Sequence, residues 1–476
     1  MSETNNIPQR DESPTIILGA GIAGLRCGQQ IAENKKVILI EKRKHIGGLA
    51  TSFKYKNFIF DIGPHKIYSI LPGIMGEFKD ILQEDCLVVN KKNSIHIRGH
   101  SYKFPINPIE LATHFSPFKA AQCGLSYAST FTKRKTDEYM LSYEDYFLSG
   151  FGRAAYELLF KDIAQKVWGD PKKLSAELAE RRIPVPSILK IAQQLFTKKV
   201  KPEVSAAQYY YPKLGLITVA DRMMKEIRQN RGSLHLDTIP TAIDVKDSKI
   251  TSITYKNRDG ETKIAPEEVI STIHLIDLLS IIKPTPPQEI MAAVKNLKYR
   301  SLILVYLILK KQKAMEDQWQ FFPEKKYIFT RVSEQKNFSI HTAPQDKTAL
   351  VAEVGCEFED ETYKKNDKEL FEKVIADLEE LRITKKEEIE EYFTIKINRC
   401  YPVYAIGYKE NLTKVLNYID SIKNLYVIGR QGLFNYNNTD HSMDMANKLA
   451  YHILWKKPKE EWTRTRQSFD DYRIVD

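Results

Sequence analysis

The chain is poor in the features that would announce its class at a glance. No apolar run reaches the eighteen or so residues of a membrane-crossing helix. The best candidate, SLILVYLIL at 301–309, is half that length and predicts a buried strand. Cysteine is scarce, five in 476 residues. Cys27, Cys86, Cys123, Cys356 and Cys400 form neither a C-x-x-C pair nor a metal spacing, so reduced structural thiols are expected. The opening MSETNNIPQRDESP lacks the charged start and apolar middle of a secretory signal, which makes the cytoplasm the expected location. A basic arm is also missing. The formal charge of +11 is dispersed among acids, as in KKNDKELFEKVIADLEELRITKKEEIEEYF, and no nucleic-acid motif accompanies it. Nucleic acid is thereby set aside, while peripheral contact with an anionic membrane surface stays open. Neither an internal repeat nor a low-complexity segment is present.

What the chain does have is 42% apolar and 11% aromatic residues, enough for two or three lobes with cores of their own. Its first motif lies in PTIILGAGIAGLRCGQQIAENKKVILIEKRKHIGGLA, residues 14–50. A strand pattern runs into Gly19, Gly21 and Gly24 at G-x-G-x-x-G spacing. A helix pattern through Ile22 and Ala23 follows, then a second strand ending at Glu41 and Lys42. The first glycine permits a tight turn, the second lets a pyrophosphate approach the backbone, and the third lets helix and strand pack closely. The phosphates of a dinucleotide then lie at the positive helix start, and Glu41 can accept hydrogen bonds from ribose hydroxyls. Gly47 and Gly48, followed by Leu49, extend the grip. That second glycine pair points to FAD rather than NAD.

With these residues in place, the sequence resembles the FAD-dependent amine oxidase and protoporphyrinogen oxidase-like superfamily, in the branch that contains UDP-galactopyranose mutase. The likeness runs along most of the chain. YKNFIFDIGPHKIYS at 55–69 is similar to the branch's Asp-x-Gly-Pro-His loop, with Gly63, Pro64 and His65. YKFPINP, FKDIAQKVWGDPKKLSAELAERRIPVPS, YYYPKLGLITVADRMMKEI, YIFTRVSEQKNFS, CYPVYAIGY and NLYVIGRQGLFNYNNTDHSM follow in the family's order.

The resemblance implies an α/β fold: a Rossmann-type FAD-binding domain of the glutathione-reductase type, a mixed-sheet substrate domain and a largely helical lobe. The expected segments are 13–105 for the first part of the FAD-binding domain, 106–205 for the helical lobe and 206–285 for a return to the FAD-binding domain. Residues 286–415 are expected to form the substrate-domain sheet and helix, 416–456 the last FAD-binding segment and 457–476 a polar, loosely held tail. Residues 365–391 are read as one amphipathic, charge-laced helix. The RDG at 258–260 predicts a hairpin turn.

By the same resemblance Gly429 and Arg430 return to the flavin's polar edge, with Asn438, Asp440, His441 and Ser442 beginning the closing helix near the cofactor, and Tyr436 faces the substrate. Asp440 is equally placed to be a simple N-cap. His65 is expected above the flavin, and Trp168, Arg182 and Arg331 in the substrate pocket, where guanidinium groups suit a pyrophosphate. Structural roles compete at each position. Arg181 is an alternative to Arg182, Trp168 could be core, His65 could hold a loop, and Arg331 could pair with a carboxylate such as Glu334.

Noncovalent FAD is expected, because no cysteine falls in the C-terminal motif. The implied activity is hydride transfer from a sugar-like, nucleotide-sugar or lipid-linked substrate to flavin N5, in polysaccharide or glycolipid biosynthesis, with oxygen, quinone or another acceptor reoxidising the flavin. The alternative is a mutase in which reduced flavin attacks an anomeric carbon without net redox. Asn438, standing where mutases carry an acid, weighs against it. A porphyrinogen oxidase and a non-catalytic flavin-binding protein are weaker alternatives.

Overall fold

The computed structural model describes residues 13–103, 114, 117–132, 141–182 and 207–474. Its centre is a five-stranded, all-parallel sheet in the spatial order Leu425–Val427, Val269–Ser271, Thr15–Leu18, Val37–Ile40, Ser233–His235. The first four are short runs with every side chain buried, as a parallel sheet covered on both faces requires, and the edge strand Ser233–His235 is half-buried. Helix Ile22–Ile31 packs on one of them through Gly24 and Gly28. A Cβ at Gly24 would stand 2.2 Å from the Gly19 carbonyl oxygen, so the close helix–strand approach depends on its absence.

A four-stranded sheet hangs beside this layer. It contains the hairpin Lys249–Asn257 to Gly260–Ile264, where Asn257 faces Gly260 across the expected RDG turn. The largest sheet has seven strands, in the order Ile389–Pro402, Tyr299–Leu309, Thr348–Cys356, Arg331–Glu334, Trp319–Phe321, Asn93–Ile97, His100–Lys103. The run SLILVYLIL is the central part of Tyr299–Leu309 and is fully buried, paired on both sides. Asn93–Ile97 and His100–Lys103 join this sheet rather than the parallel one, because Asn93, Ser94 and Ile95 pair with Trp319, Gln320 and Phe321.

Between 106 and 205 the described elements are helices, Pro117–Thr132, Tyr143–Ala155, a π-turn at Tyr156–Phe160, Lys161–Val167 and Ala176–Arg182, joined at 168–175 by turns and isolated bridges. Ser142 and Asp145 close a reciprocal capping box at the start of the second. Phe147 stacks on Phe160 at 4.1 Å in the core of this lobe. Residues 104–113 and 183–206, which hold most of YKFPINP and the IPVPS stretch, lie outside the described residues.

Two expectations need correction. The helix predicted over 365–391 ends at Glu380, and Ile389–Pro402 is an edge strand of the large sheet. The glutamates misled the reading, since the helix Asp367–Glu380 and the strand start at Glu390 and Glu391 are equally charged while their apolar residues change period. The tail is not loose. Trp462 is fully buried and Phe469, Tyr472 and Ile474 are nearly so, anchoring helix Lys459–Gln467 to the core of the parallel sheet.

Candidate functional site

The carboxyl ends of the parallel strands open into a cavity of about 810 Å³ that runs from the glycine-rich turn to the large sheet. This is where open α/β sheets bind ligands. Gly19 has φ +100°, and a Cβ there would press to 2.3 Å from Thr272 Oγ1. Gly21 and Gly48 meet backbone to backbone, with a Cβ on Gly48 only 3.1 Å from Gly21 Cα. The Gly47 amide donates to the Ala20 carbonyl at 2.8 Å, so the second glycine pair is seated directly on the first. The Glu41 carboxylate accepts from the Ala20 and Arg43 amides at 2.8 and 2.9 Å. Two accepted bonds leave a carboxylate lone pairs for further donors. Gly429, at φ +80°, brings the C-terminal return against Ala23: a Cβ there would lie 3.0 Å from the Ala23 methyl.

Toward the large sheet the lining becomes cationic and aromatic. Arg182 lies 4.9 Å from the ring centres of both Trp168 and Tyr436 and donates from Nη2 to the Tyr436 hydroxyl at 3.1 Å. Tyr436 in turn stacks on Tyr401 at 5.4 Å. Arg430 sits 5.2 Å from the Tyr401 ring and donates twice to the Asn437 carbonyl. Arg331 makes a two-pronged pair with Glu353, Nε at 2.9 Å and Nη2 at 3.0 Å. Burial raises the Glu353 carboxyl above its ordinary value and Arg331 pulls it back. Burial, together with the nearby Arg430 and Arg331 charges, lowers His65 to about 4, although a backbone bond opposes the shift. Its Nδ1 stands 2.9 Å from the Gly63 carbonyl, which can only accept. His65 is therefore neutral near pH 7, with the proton on Nδ1 and a lone pair on Nε2.

The structure brings most of the predicted site residues to this one cavity. Gly19, Gly21, Ile22, Ala23, Glu41 and Lys42 line its glycine-rich end, with Gly47, Gly48 and Leu49 beside them. Pro64, His65, Arg182, Arg331, Gly429 and Arg430 line it as well, as do Tyr436, Asn438 and Ser442. Five others stand back. Gly24 lies beneath the turn, and Gly63 supports the His65 loop 3.5 Å from Glu353, measured from a built Cβ. Trp168 is 5% exposed and forms the wall behind Arg182. Asp440 accepts from Ser69 at 2.7 Å, and His441 stacks on Tyr472 at 4.5 Å. The N-cap of helix Thr439–Leu454 is Asn438 rather than Asp440, in a reciprocal box with His441.

The open alternatives also resolve. Arg181 is tied to Glu177 and Asp470 away from the cavity, whereas Arg182 reaches it. The carboxylate partner of Arg331 is Glu353, while Glu334 binds the Ala314 amide and the Thr348 hydroxyl.

Comparison with known proteins fits this geometry. The sequence profile of the flavin-containing amine oxidoreductases matches residues 22–396. The chain belongs to that family. Its members carry flavin, and the present chain is accordingly a flavin-dependent enzyme. A probable UDP-galactopyranose mutase of Klebsiella pneumoniae is 28% identical over 180 residues, which span 36% of this chain and 44% of that relative. The crystal structure of reduced UDP-galactopyranose mutase superposes with a TM-score of 0.78 at 21% identity, covering 93% of this chain and 94% of the other. Putrescine oxidase bound to putrescine gives a TM-score of 0.62 at 15% identity, covering 93% and 99%. At such identities these two structures speak for the shared fold.

Several lining residues escaped the sequence reading. Thr272, Ile273 and His274 follow the strand Val269–Ser271, and the carboxyl-edge rule would have found them once that strand was assigned to the parallel sheet. Trp319, Tyr401 and Arg399 reach the cavity from the large sheet. No local pattern marks Trp319, whereas Tyr401 lies inside a segment already singled out. The glycine seats, the Glu41 carboxylate and the cationic far end together fit a flavin dinucleotide.

Proposed function

We propose that the chain binds FAD noncovalently along Gly19, Gly21, Glu41, Gly47, Gly48 and Gly429 and oxidises a sugar-like, nucleotide-sugar or lipid-linked substrate held at the cationic end. A bound flavin supplies a two-electron acceptor or, once reduced, a nucleophile toward an anomeric carbon. The observation that carries this reading is the convergence of Arg182, Arg430, Tyr401, Tyr436 and a neutral His65 on the end of the cavity away from the glycine seats. Arg182 and Arg430 both bring guanidinium groups to that end, where Arg331 is paired with buried Glu353. They favour a substrate that carries anionic groups. The Tyr436 hydroxyl accepts from Arg182, which leaves its own proton to donate to a substrate oxygen. His65 offers Nε2 as an acceptor toward a substrate hydroxyl, without competing as a cation. The stacked Tyr401 and Tyr436 rings narrow the space and exclude water around the reacting carbon.

A mutase reading has its own support in Arg182 and Arg331 both lining the cavity and in the overall likeness to UDP-galactopyranose mutase. One experiment separates the two. The purified protein is reduced anaerobically with dithionite and given UDP-galactose and related nucleotide sugars, and the sugars are separated by chromatography. Furanose formed only with reduced flavin establishes the mutase and overturns net oxidation. No isomerisation, together with bleaching of the oxidised flavin by a substrate from the same panel, establishes the oxidative reading.

A further inference from the structure

On the side of the cradle loop turned away from the cavity lies a second concave feature that plays no part in the reading above. Two hollows of about 760 and 480 Å³ share Ile217, Asp221 and Lys225, and so form one groove over the exposed stripe of helix Ile217–Gln229. Its floor is apolar, built from Ile46, Ile59, Met224 and Leu234. Its rim is cationic. Lys44, Lys54, Lys225 and Arg228 are exposed around it, and Asp221 is the one acid among the described lining residues. Arg222, also on the lining, is engaged by Glu84 and Asp85. Two large apolar side chains project at the groove's edges, Leu214 at 45% exposure and Leu236 at 37%.

We propose that this face docks on the surface of an anionic lipid bilayer, with headgroup phosphates on Lys44, Lys225 and Arg228 and with Leu214 and Leu236 entering the acyl boundary. Charge complementarity selects this occupant. Cations at the rim with leucines projecting between them reproduce the arrangement of interfacial membrane binders, whose attachment adds buried apolar area to attraction for anionic lipid. A purely polyanionic partner would leave Leu214 and Leu236 unexplained, and a purely apolar partner would strand the four rim cations. The inference is independent of which reaction the flavin site performs. It also places the cradle loop 41–50 between the bilayer and the dinucleotide end of the cavity, since Lys44, His45 and Ile46 line the groove while Arg43 and Gly47 line the cavity.

The test is co-sedimentation of the flavin-loaded full chain with phosphatidylcholine vesicles, with and without phosphatidylglycerol, across a salt series. Binding is expected only with phosphatidylglycerol and should weaken as salt rises. Neutralising three cations (Lys44→Gln, Lys225→Gln, Arg228→Gln) should weaken partition about a hundredfold, at about fivefold per cation. Leu214→Ser with Leu236→Ser should remove the binding that survives high salt. The flavin spectrum and melting temperature of each variant report that it is folded. The proposal falls if the wild-type chain ignores phosphatidylglycerol at low salt, if it binds both vesicle types equally, or if the triple variant binds like wild type. Concentration-dependent dimerisation abolished by the leucine changes, without vesicle binding, would instead assign the face to a second copy of the chain.

Discussion

Replacing Arg331 by alanine separates two roles that one substitution would otherwise confuse. Arg331 lines the proposed substrate end, yet it also neutralises Glu353, whose side chain is only 5% exposed. Removing one partner of a buried pair leaves an uncompensated charge and costs about 3–5 kcal/mol. A chain of 476 residues has an unfolding entropy of roughly 1 kcal/mol/K at about 2.1 cal/mol/K per residue. Arg331→Ala should therefore lower the melting temperature by about 4 °C at neutral pH, before any effect on turnover.

The pH dependence has a definite sign. Burial already raises the Glu353 carboxyl and Arg331 opposes that shift, so deleting Arg331 raises it further. A carboxyl whose folded value lies above its unfolded value destabilises fully above the folded value, and the penalty disappears as pH falls and the proton binds. The difference between Arg331→Ala and wild type should accordingly shrink on acidification. Glu353→Gln added to Arg331→Ala should recover at least half of the lost stability at neutral pH. Differential scanning fluorimetry of wild type, both single variants and the double variant, at neutral and mildly acidic pH, reads all of this. A double variant no more stable than Arg331→Ala, with a pH-independent deficit, would refute the buried-charge reasoning. If turnover stays lost in the double variant while stability returns, Arg331 acts on the substrate.

Gly24→Ala forces a Cβ to within 2.2 Å of the Gly19 carbonyl, so a stability loss of about 1–3 kcal/mol and release of flavin on gel filtration are expected. Asp61 is buried, accepts from Ser52 and Tyr211, and is raised to about 6 by burial despite those bonds. Its contribution should be full below about pH 4 and fade as pH rises through 6, and Asp61→Asn should flatten that slope in a melting-temperature series. Trp462→Ala should cost about 3–5 kcal/mol and expose the C-terminal helix to limited proteolysis, since the ring is wholly buried. Ellman's reagent on the native chain should label Cys86 and Cys123 and spare Cys27, Cys356 and Cys400 until denaturant is added.

The parts of the site that could be read from sequence are those fixed by local geometry. Gly19 and Gly21 form one turn, Gly24 lies in the helix that follows it, and Glu41 comes directly after the neighbouring strand, so their spacing alone dictates the cradle. Choosing between Arg181 and Arg182 could not be done that way. Adjacent residues on a helix point about 100° apart, and only the packing of Ala176–Arg182 against Tyr404 and Tyr436 decides which one reaches the cavity. Asp440 and His441 share a motif with Tyr436, yet they sit on a helix whose first turn sends them toward Ser69 and Tyr472. Glu353 could not be named at all, because its pairing with Arg331 follows from the register of two antiparallel strands. The tail differs for another reason: a polar composition hides four well-spaced large side chains, Trp462, Phe469, Tyr472 and Ile474, each of which is buried.

The order of strands in the parallel sheet also governs how the chain is born. Val269–Ser271 has one edge open until Leu425–Val427 leaves the ribosome, and Gly429 and Arg430 follow only after that. At 5–20 residues per second the interval between those two strands is on the order of 10–30 s. During it an apolar strand edge and an unfinished cavity wall are exposed together, the kind of surface on which aggregation starts. Closing of the cavity wall is thereby tied to synthesis of residues 425–430. A chain cut short before residue 425 lacks both the strand that seals the sheet and the glycine that brings the return against Ala23.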